Sequence, residues 1–202
     1  MIAAGAVAGL ARLITGCRPR WAAPPPNAPC VFYGNHSSHL DGLVIWSSLP
    51  GPIRTRCCPV GAADYWQASA TRRWLSQRVF NCVLIERKAV TRTNNPLERM
   101  VHSLAANNSL ILFPEGTRSD GDDTGEFQAG LYHIAKKRPE TPFVPVLLRN
   151  MNRILPKGEV FALPLIGSVD FGAALQLEHQ EAKVHFLDRA KAALDALREH
   201  DR

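Results

Sequence analysis

Two hydrophobic patterns alternate along this chain: short apolar runs, and longer stretches in which apolar residues recur at helical spacing. Apolar runs of about four to eight residues are typical of buried strands, whereas a period of about 3.6 residues is typical of amphipathic helices. The runs predict strands at residues 30–34, 54–61, 82–86, 109–113, 142–148, 159–165 and 167–171. The periodic stretches predict helices at residues 40–49, 63–80, 96–106, 127–137 and 180–200, the second of them with a break.

This alternation favours an α/β fold, with a mostly parallel, partly mixed central sheet of about six to seven strands flanked by helices. A chain of 202 residues suits one domain with a sizeable core. Five prolines between Arg18 and Pro29 exclude a helix there and predict a stiff linker. We therefore expect an N-terminal helix and Pro-rich linker over residues 1–29 and one domain over residues 30–202.

Residues 1–16 form an apolar stretch that Arg12 interrupts. As a helix it would be about 24 Å long, which is short of the ~30 Å hydrocarbon core of a bilayer. The basic stretch that opens a secretory signal is missing. Two placements remain open for this helix: in a membrane interface, or packed against the domain.

The net charge of +6 is concentrated in one segment. Residues 52–92 contain eight basic and two acidic residues, so they carry the whole excess, and Trp66, Trp74 and Phe80 lie among them. Such a segment suits nucleic acid or anionic lipid, although a solvated helix with packed aromatics would give the same pattern. The five cysteines have spacings that indicate neither a zinc site nor a disulfide framework, which favours a reduced, cytosolic compartment.

The first polar motif, NHSSHLD, follows the strand predicted at residues 30–34. Its His36, with Asp41 five positions later, provides a general base and a carboxylate to orient it. On a strand-to-helix turn this spacing can bring the carboxylate to one imidazole nitrogen while the other nitrogen faces a cleft.

Two other interpretations of this motif are open. In one, Asp41 caps the following helix and His36 forms only local hydrogen bonds. In the other, His36, His39 and Asp41 bind a metal ion, with His102 and His133 completing the ligand shell.

The second polar motif, FPEGTRS, follows the strand predicted at residues 109–113. Its Arg118 has a planar guanidinium that can donate two parallel hydrogen bonds to a phosphate, and Gly116 lets the backbone approach a ligand closely. Parallel sheets bind ligands at the carboxyl ends of their strands. Since both motifs begin where a strand ends, we expect one cleft to hold them both.

The two motifs, in this order and about seventy residues apart, resemble those of the glycerolipid acyltransferase family, the PlsC-like 1-acyl-sn-glycerol-3-phosphate acyltransferases. That family carries an NHx4D block and an FPEGTRS block. The resemblance implies transfer of a fatty acyl group from acyl-CoA or acyl carrier protein to the sn-2 hydroxyl of 1-acylglycerol-3-phosphate, giving phosphatidic acid. It also implies that His36 and Asp41 activate the hydroxyl for direct attack on the thioester.

The same resemblance implies the binding residues and partners. It assigns the acceptor phosphate to the second motif, whose substrate-binding residues are Glu115, Gly116, Thr117 and Arg118, with Arg118 as the phosphate ligand and Glu115 orienting Arg118 or the loop. It also assigns the phosphate to Arg87, at the end of the segment FNCVLIER. It implies no metal, and no cofactor beyond the acyl-CoA or acyl carrier protein co-substrate. The other partners implied are lysophosphatidic acid or a related lysolipid and an anionic membrane surface, not nucleic acid. The implied location is peripheral, on the cytoplasmic face of the membrane.

The sequence leaves three other functions open. Many family members carry a lysine in the element that corresponds to residues 127–130, where this chain has no cation. The acceptor could therefore be another lysophospholipid or a lyso-amino-acid lipid. A catalytically silent lipid-surface protein would use the basic segment alone. A thioesterase or serine hydrolase is disfavoured because the chain has no G-x-S-x-G motif.

Overall fold

The computed structural model describes residues 2–86, 94–118, 124–151 and 167–199. Within them, seven strands form one sheet: β1 Arg18–Trp21, β2 Val31–Gly34, β3 Cys57–Ala62, β4 Val83–Ile85, β5 Ser109–Leu112, β6 Phe143–Arg149 and β7 Ser168–Phe171. Their order is β1-β7-β6-β2-β5-β3-β4, and every neighbouring pair is parallel except β6 and β7. The predicted α/β fold with a mostly parallel, partly mixed sheet is confirmed.

Helices flank this sheet: α1 Ile2–Thr15, α2 Asp41–Ser48, α3 Gly51–Arg54, α4 Ala63–Gln67, α5 Ala70–Trp74, α6 Pro96–Ala105, α7 Gly130–Lys137 and α8 Lys183–Glu199. The stretch predicted as one broken helix at residues 63–80 consists of α4, α5 and a π-helical segment, Leu75–Val79. The break lies at Ser69, whose side chain accepts a hydrogen bond from the Arg72 N–H and so begins α5.

An apolar core lies on each face of the sheet, because successive residues of a strand point to opposite sides. Phe32 of β2 packs in the core that contains Ile45 of α2. Its neighbour Tyr33 packs in the core that contains Phe186 of α8. The central strand β2 is buried along its whole length, so the loop that leaves its carboxyl end starts from a rigid support.

The linker predicted over residues 18–29 is wrong at its start, because Arg18–Trp21 forms the edge strand β1, paired in parallel with β7. Proline is tolerated in an edge strand, where the outer N–H groups need no partner. Asp170 of β7 is 6% exposed and accepts hydrogen bonds from Arg20 over 2.5 Å and from Arg149 over 3.1 Å. These two contacts fix the edge of the sheet.

The helix predicted at residues 96–106 begins as predicted: Asn95 caps α6 by accepting a hydrogen bond from the Leu97 N–H over 3.0 Å, and Pro96 takes the first helical position. Two strand predictions have different outcomes. The predicted strand start at residue 54 is wrong, because residues 51–54 form α3 and β3 begins at Cys57. The predicted strand at residues 159–165 lies outside the described residues.

Helix α1 packs one face on the domain and exposes another. Ala8 and Ala11 are buried, and the Arg12 guanidinium donates hydrogen bonds to the carbonyl of Ser47 at the end of α2. Leu10 and Leu13, in contrast, are 56% and 81% exposed. Within the described residues, no helix combines the length and the apolar character needed to cross a bilayer.

Candidate active site

The two polar motifs leave the carboxyl ends of neighbouring strands. β2 leads into NHSSHLD and β5 leads into FPEGTRS, and the two strands pair in parallel with Tyr33 opposite Leu112. The loops therefore meet at one edge of the sheet, as expected. β3, on the other side of β5, ends at the same edge and leads into α4.

His36 and Asp41 lie side by side in the first loop. His36 Nδ1 is 2.8 Å from Asp41 Oδ2, and the Asp41 side chain is fully buried whereas that of His36 is 22% exposed. The same oxygen accepts hydrogen bonds from the backbone N–H groups of Ser37 and Ser38 over 2.7 and 2.8 Å. These donors precede α2, and the N-cap of that helix is Leu40. Asp41 thus organises the turn around His36 and does not cap the helix.

Further contacts hold the ring of His36 and the backbone next to it. When its Nδ1–H donates to Asp41, the lone pair of the neutral ring lies on Nε2. Phe113 stacks on the ring, with centroids 4.2 Å apart and planes 15° apart. The preceding residue, Asn35, exchanges two hydrogen bonds with the backbone of Leu148 in β6, over 3.0 and 2.8 Å. These contacts preorganise the imidazole.

Glu115 joins the two motifs. Its side chain is buried, and its two oxygens accept hydrogen bonds from the N–H groups of His36 over 3.0 Å and Gly125 over 3.1 Å. A Cβ at position 125 would come 2.9 Å from the Glu115 carboxylate, so glycine allows this contact. The sequence predicted that Glu115, within the substrate-binding motif, orients Arg118 or its loop. Its observed hydrogen bonds come from backbone N–H groups of two loops, a contact that suits such a positioning role.

The second loop presents Arg118. Gly116 has a φ of 75°, in the left-handed region that favours glycine, and its N–H donates to the Phe113 carbonyl over 3.1 Å. Arg118 is half-buried, and its Nη1 is buried without a hydrogen-bond partner among the described residues. A buried donor without a partner costs free energy, so an anionic ligand that pairs with it would bind favourably.

Both loops open onto a cavity of about 560 Å³. Four of the predicted site residues line it: His36, Gly116, Thr117 and Arg118. Apolar and aromatic side chains form much of the remaining wall: Leu43, Val60, Trp66, Phe80, Ile85 and Leu112. Polar groups placed in an otherwise apolar cavity suit an amphiphilic ligand. Arg87, the other predicted phosphate ligand, lies outside the described residues.

The aromatic residues of the wall were not predicted as site residues. Trp66 and Phe80, which the sequence suggested for a basic surface, line the cavity, whereas Trp74 is 49% exposed. Gly61 of β3 permits the approach of Trp66, since a Cβ there would overlap the indole ring. Parallel sheets bind ligands at the carboxyl ends of their strands, and β3 ends at the same edge as β2 and β5. The position of Trp66 shortly after β3 is therefore a sequence signal that it lies near the cavity.

The histidines of the alternative metal site are spread over the molecule. His102 and His133 lie on α6 and α7, and neither lines the cavity. His39 does line it, stacked on Tyr65 with ring centroids 5.2 Å apart. Partial desolvation lowers the pKa of His39 below its ordinary value, and the nearby charge of Arg118 acts in the same direction.

A family model describes most of this chain: residues 19–149 match the model named Acyltransferase. The chain belongs to the acyltransferase family. The matched region begins in β1 and ends with β6, so it contains both motifs and the cavity between them. The resemblance predicted from those motifs is confirmed.

Named members of this family share the sequence over part of their length. The chain is 30% identical over 138 residues to human 1-acyl-sn-glycerol-3-phosphate acyltransferase alpha. This alignment covers 67% of this chain and 46% of the human protein. It is 26% identical over 156 residues to the 1-acyl-sn-glycerol-3-phosphate acyltransferase of Borreliella burgdorferi, covering 77% of this chain and 58% of that protein. The chain thus spans about half the length of these relatives.

A solved structure has the same acyltransferase fold. The crystal structure of the 1-acyl-sn-glycerophosphate (LPA) acyltransferase PlsC from Thermotoga maritima superposes with a TM-score of 0.79 at 16% identity. The match covers 100% of this chain and 80% of the Thermotoga chain. At this identity the likeness supports the arrangement of strands and helices described above.

Proposed function

We propose that this chain transfers a fatty acyl group from acyl-CoA or acyl carrier protein to the sn-2 hydroxyl of 1-acylglycerol-3-phosphate, giving phosphatidic acid. The observation that carries the proposal is the contact between His36 and buried Asp41 in the wall of a cavity that also contains Arg118. The names of the family relatives support the choice of acceptor.

The proposed reaction needs one base and no covalent enzyme intermediate. His36 Nε2 takes the proton of the acceptor hydroxyl as its oxygen bonds to the thioester carbonyl carbon, and Asp41 stabilises the imidazolium that forms. The tetrahedral intermediate then collapses, the C–S bond breaks, and the leaving sulfur receives the proton from His36. A positioned base of this kind contributes about 10²–10⁴-fold to the rate.

The oxyanion of the intermediate needs donors other than the N–H groups of His36, Ser37 and Ser38. The N–H of His36 donates to Glu115, and those of Ser37 and Ser38 donate to Asp41. These three groups therefore position the base and are already engaged. We expect the oxyanion donors to come from the second loop or from ordered water.

Arg118 is the proposed ligand of the acceptor phosphate. Its guanidinium lies in the cavity wall with His36, and its buried Nη1 has no other partner among the described residues. A guanidinium can hold a phosphate with two parallel hydrogen bonds, which would fix the glycerol backbone relative to the base. The apolar wall would then receive an acyl chain.

The proposed setting is an anionic membrane surface on the cytoplasmic side. Three adjacent large apolar side chains of α1 support it: Leu10, Leu13 and Ile14 are 56%, 81% and 45% exposed. The basic segment at residues 52–92 would add attraction of about 1 kcal/mol per cation near the surface, screened by salt.

Thiol release with a panel of acceptors tests the proposal. The purified chain should release CoA from acyl-CoA, or the carrier thiol from acyl carrier protein, only when a lysolipid is present, and product analysis should show phosphatidic acid. Faster turnover with another lysophospholipid or a lyso-amino-acid lipid would reassign the acceptor. Thiol release without any acceptor would indicate hydrolysis, and no release with any acceptor would support a silent lipid-binding role.

A further inference from the structure

Three side chains form a stack: His39 and Tyr65, which line the cavity, and Arg72, which lies outside its lining. The ring of His39 lies on that of Tyr65, with centroids 5.2 Å apart and planes 14° apart. The guanidinium carbon of Arg72, on α5, lies 4.3 Å from the centroid of the same tyrosine ring. A guanidinium held flat on an aromatic face keeps its edge N–H groups available for other partners.

The surroundings of this stack are electropositive. Desolvation is the main cause of the lowered pKa of His39, and the charges of Arg118 and Arg72 lower it further. Asp64 lines the same cavity, yet in the described part of the chain it forms no ion pair with either arginine. The two guanidinium groups reach this region from different elements: Arg118 from the loop after β5, and Arg72 from the helix that follows β3 and α4. An anion near His39 would interact with both.

The neighbouring arginine provides a natural comparison. Arg73 is also exposed, but its guanidinium donates to the carbonyl of Gln67 over 3.3 Å. Arg72 and Arg73 therefore carry the same charge and lie on the same helix. They differ in that only Arg72 is stacked on a residue of the cavity wall.

We propose that Arg72, stacked on Tyr65 beside this cavity, is a second phosphate-binding residue that acts with Arg118. The inference rests on the proposed acyl transfer, and it adds a ligand from outside both sequence motifs. Its chemistry is recognition of a phosphate group by a stacked guanidinium. That phosphate belongs either to the acceptor, as the monoester of a lysolipid, or to the donor, in the CoA or phosphopantetheine portion of the thioester.

Paired substrates test the assignment. Arg72→Ala is compared with Arg73→Ala, each with water-soluble short-chain substrates below their critical micelle concentration, so that a membrane surface plays no part. The acceptor pair is 1-acylglycerol-3-phosphate against 1-monoacylglycerol. The donor pair is acyl-CoA against an acyl-pantetheine, which lacks phosphate.

Arg72→Ala should raise KM by about 10-fold for the phosphate-bearing member of one pair and leave KM for its phosphate-free partner unchanged, as expected for loss of one charge-assisted contact. The substrate pair in which KM rises only for the phosphate-bearing member identifies the source of the phosphate. Tyr65→Leu should act in the same direction, since it removes the surface that holds the guanidinium, and Arg72→Lys should restore only part of the loss. Arg73→Ala should behave as the wild type.

The proposal would be overturned if Arg72→Ala changed KM equally for the phosphate-bearing and the phosphate-free member of each pair. It would also be overturned if Arg73→Ala raised KM as much as Arg72→Ala does. A readout independent of turnover is titration with glycerol 3-phosphate and with CoA, followed by NMR or thermal shift. Weaker binding of one of them to Arg72→Ala supports the phosphate site even if no acyl transfer is found, so the failure of the proposed function remains distinguishable. Unchanged binding of both would contradict the site directly.

Discussion

His36 and Glu115 are 79 residues apart in the chain, yet the Glu115 carboxylate accepts a hydrogen bond from the His36 N–H over 3.0 Å. The backbone of the proposed base is thus held by the loop that carries the second motif, while its ring contacts Asp41 over 2.8 Å. The two motifs are therefore in direct contact, and we expect a change at Glu115 to displace His36.

Removal of the base should abolish acyl transfer and leave the fold intact. His36→Ala should retain less than about a hundredth of the wild-type turnover, because a positioned base contributes about 10²–10⁴-fold. Asp41→Asn should also be severe, since a neutral amide stabilises the imidazolium poorly. Thiol release measures both, with circular dichroism as the check on folding. Turnover above a hundredth in His36→Ala would rule out general-base catalysis by this residue.

Glu115→Gln should lower kcat with little change in the KM of the acceptor. Glutamine has one oxygen, so one of the two N–H groups now bound by Glu115 would face an amide NH₂, at a cost of about 1–3 kcal/mol. The melting temperature should fall as well. Glu126→Gln, an exposed carboxylate in the same segment, is the matched control and should change neither value. A large rise in KM at constant kcat would instead make Glu115 a substrate ligand.

Arg118→Ala should mainly weaken the use of the acceptor. Loss of a bidentate contact to phosphate is worth about 2–4 kcal/mol, so kcat/KM for 1-acylglycerol-3-phosphate should fall roughly 30-fold or more. The same measurement with 1-monoacylglycerol should show a much smaller loss. If the two acceptors suffer equally, Arg118 does not bind the phosphate.

The cysteines should be slow to react in the native protein. All five are unpaired and buried or half-buried, and burial raises the pKa of Cys30 and of Cys82 to about 12. A raised pKa leaves little thiolate at pH 8, and the thiolate is the reactive form. Ellman's reagent should therefore modify the folded chain at least about 100-fold more slowly than the chain in denaturant. A rapid stoichiometric burst would identify an accessible thiol, with half-buried Cys82 the first to examine.

Binding to anionic vesicles should depend on the exposed face of α1. Changing Leu10, Leu13 and Ile14 together to serine should reduce co-sedimentation about 10-fold or more, because each buried CH₂ contributes about 0.8 kcal/mol. Stability should be unchanged. Val184→Ser, at an apolar residue 59% exposed on α8, is the control. Deletion of residues 1–16 is less informative, since it also removes buried Ala8 and Ala11 and should lower the melting temperature. Unaltered vesicle binding by the triple variant would show that α1 is not the anchor.

The main strands and the meeting of the two motifs could be predicted because their signals are local. Each motif follows an apolar run, and the edge at which parallel strands end is a property of the fold class. The apposition of the Asp41 carboxylate and His36 followed in the same way from a five-residue spacing.

The remaining features depend on partners far away in the chain. Residues 18–21 form a strand because β7, some 150 residues later, offers an edge and Asp170 binds Arg20. The partners of Glu115 lie in two other loops, and a sequence pattern does not state which backbone groups a carboxylate will meet. The stack on Tyr65 combines side chains from the first loop, from α4 and from α5, and the break at Ser69 between these two helices carries a capping hydrogen bond.

The turn between His36 and Asp41 constrains the number of residues between them more than it constrains which residues they are. Three donors from consecutive residues converge on one oxygen of Asp41, which closes a small ring of hydrogen bonds before α2 begins. One added or missing residue would rotate the carboxylate by about 100° around the helix axis and break this closure. Evolution can therefore exchange side chains within the interval more readily than it can alter the number of residues that the interval contains.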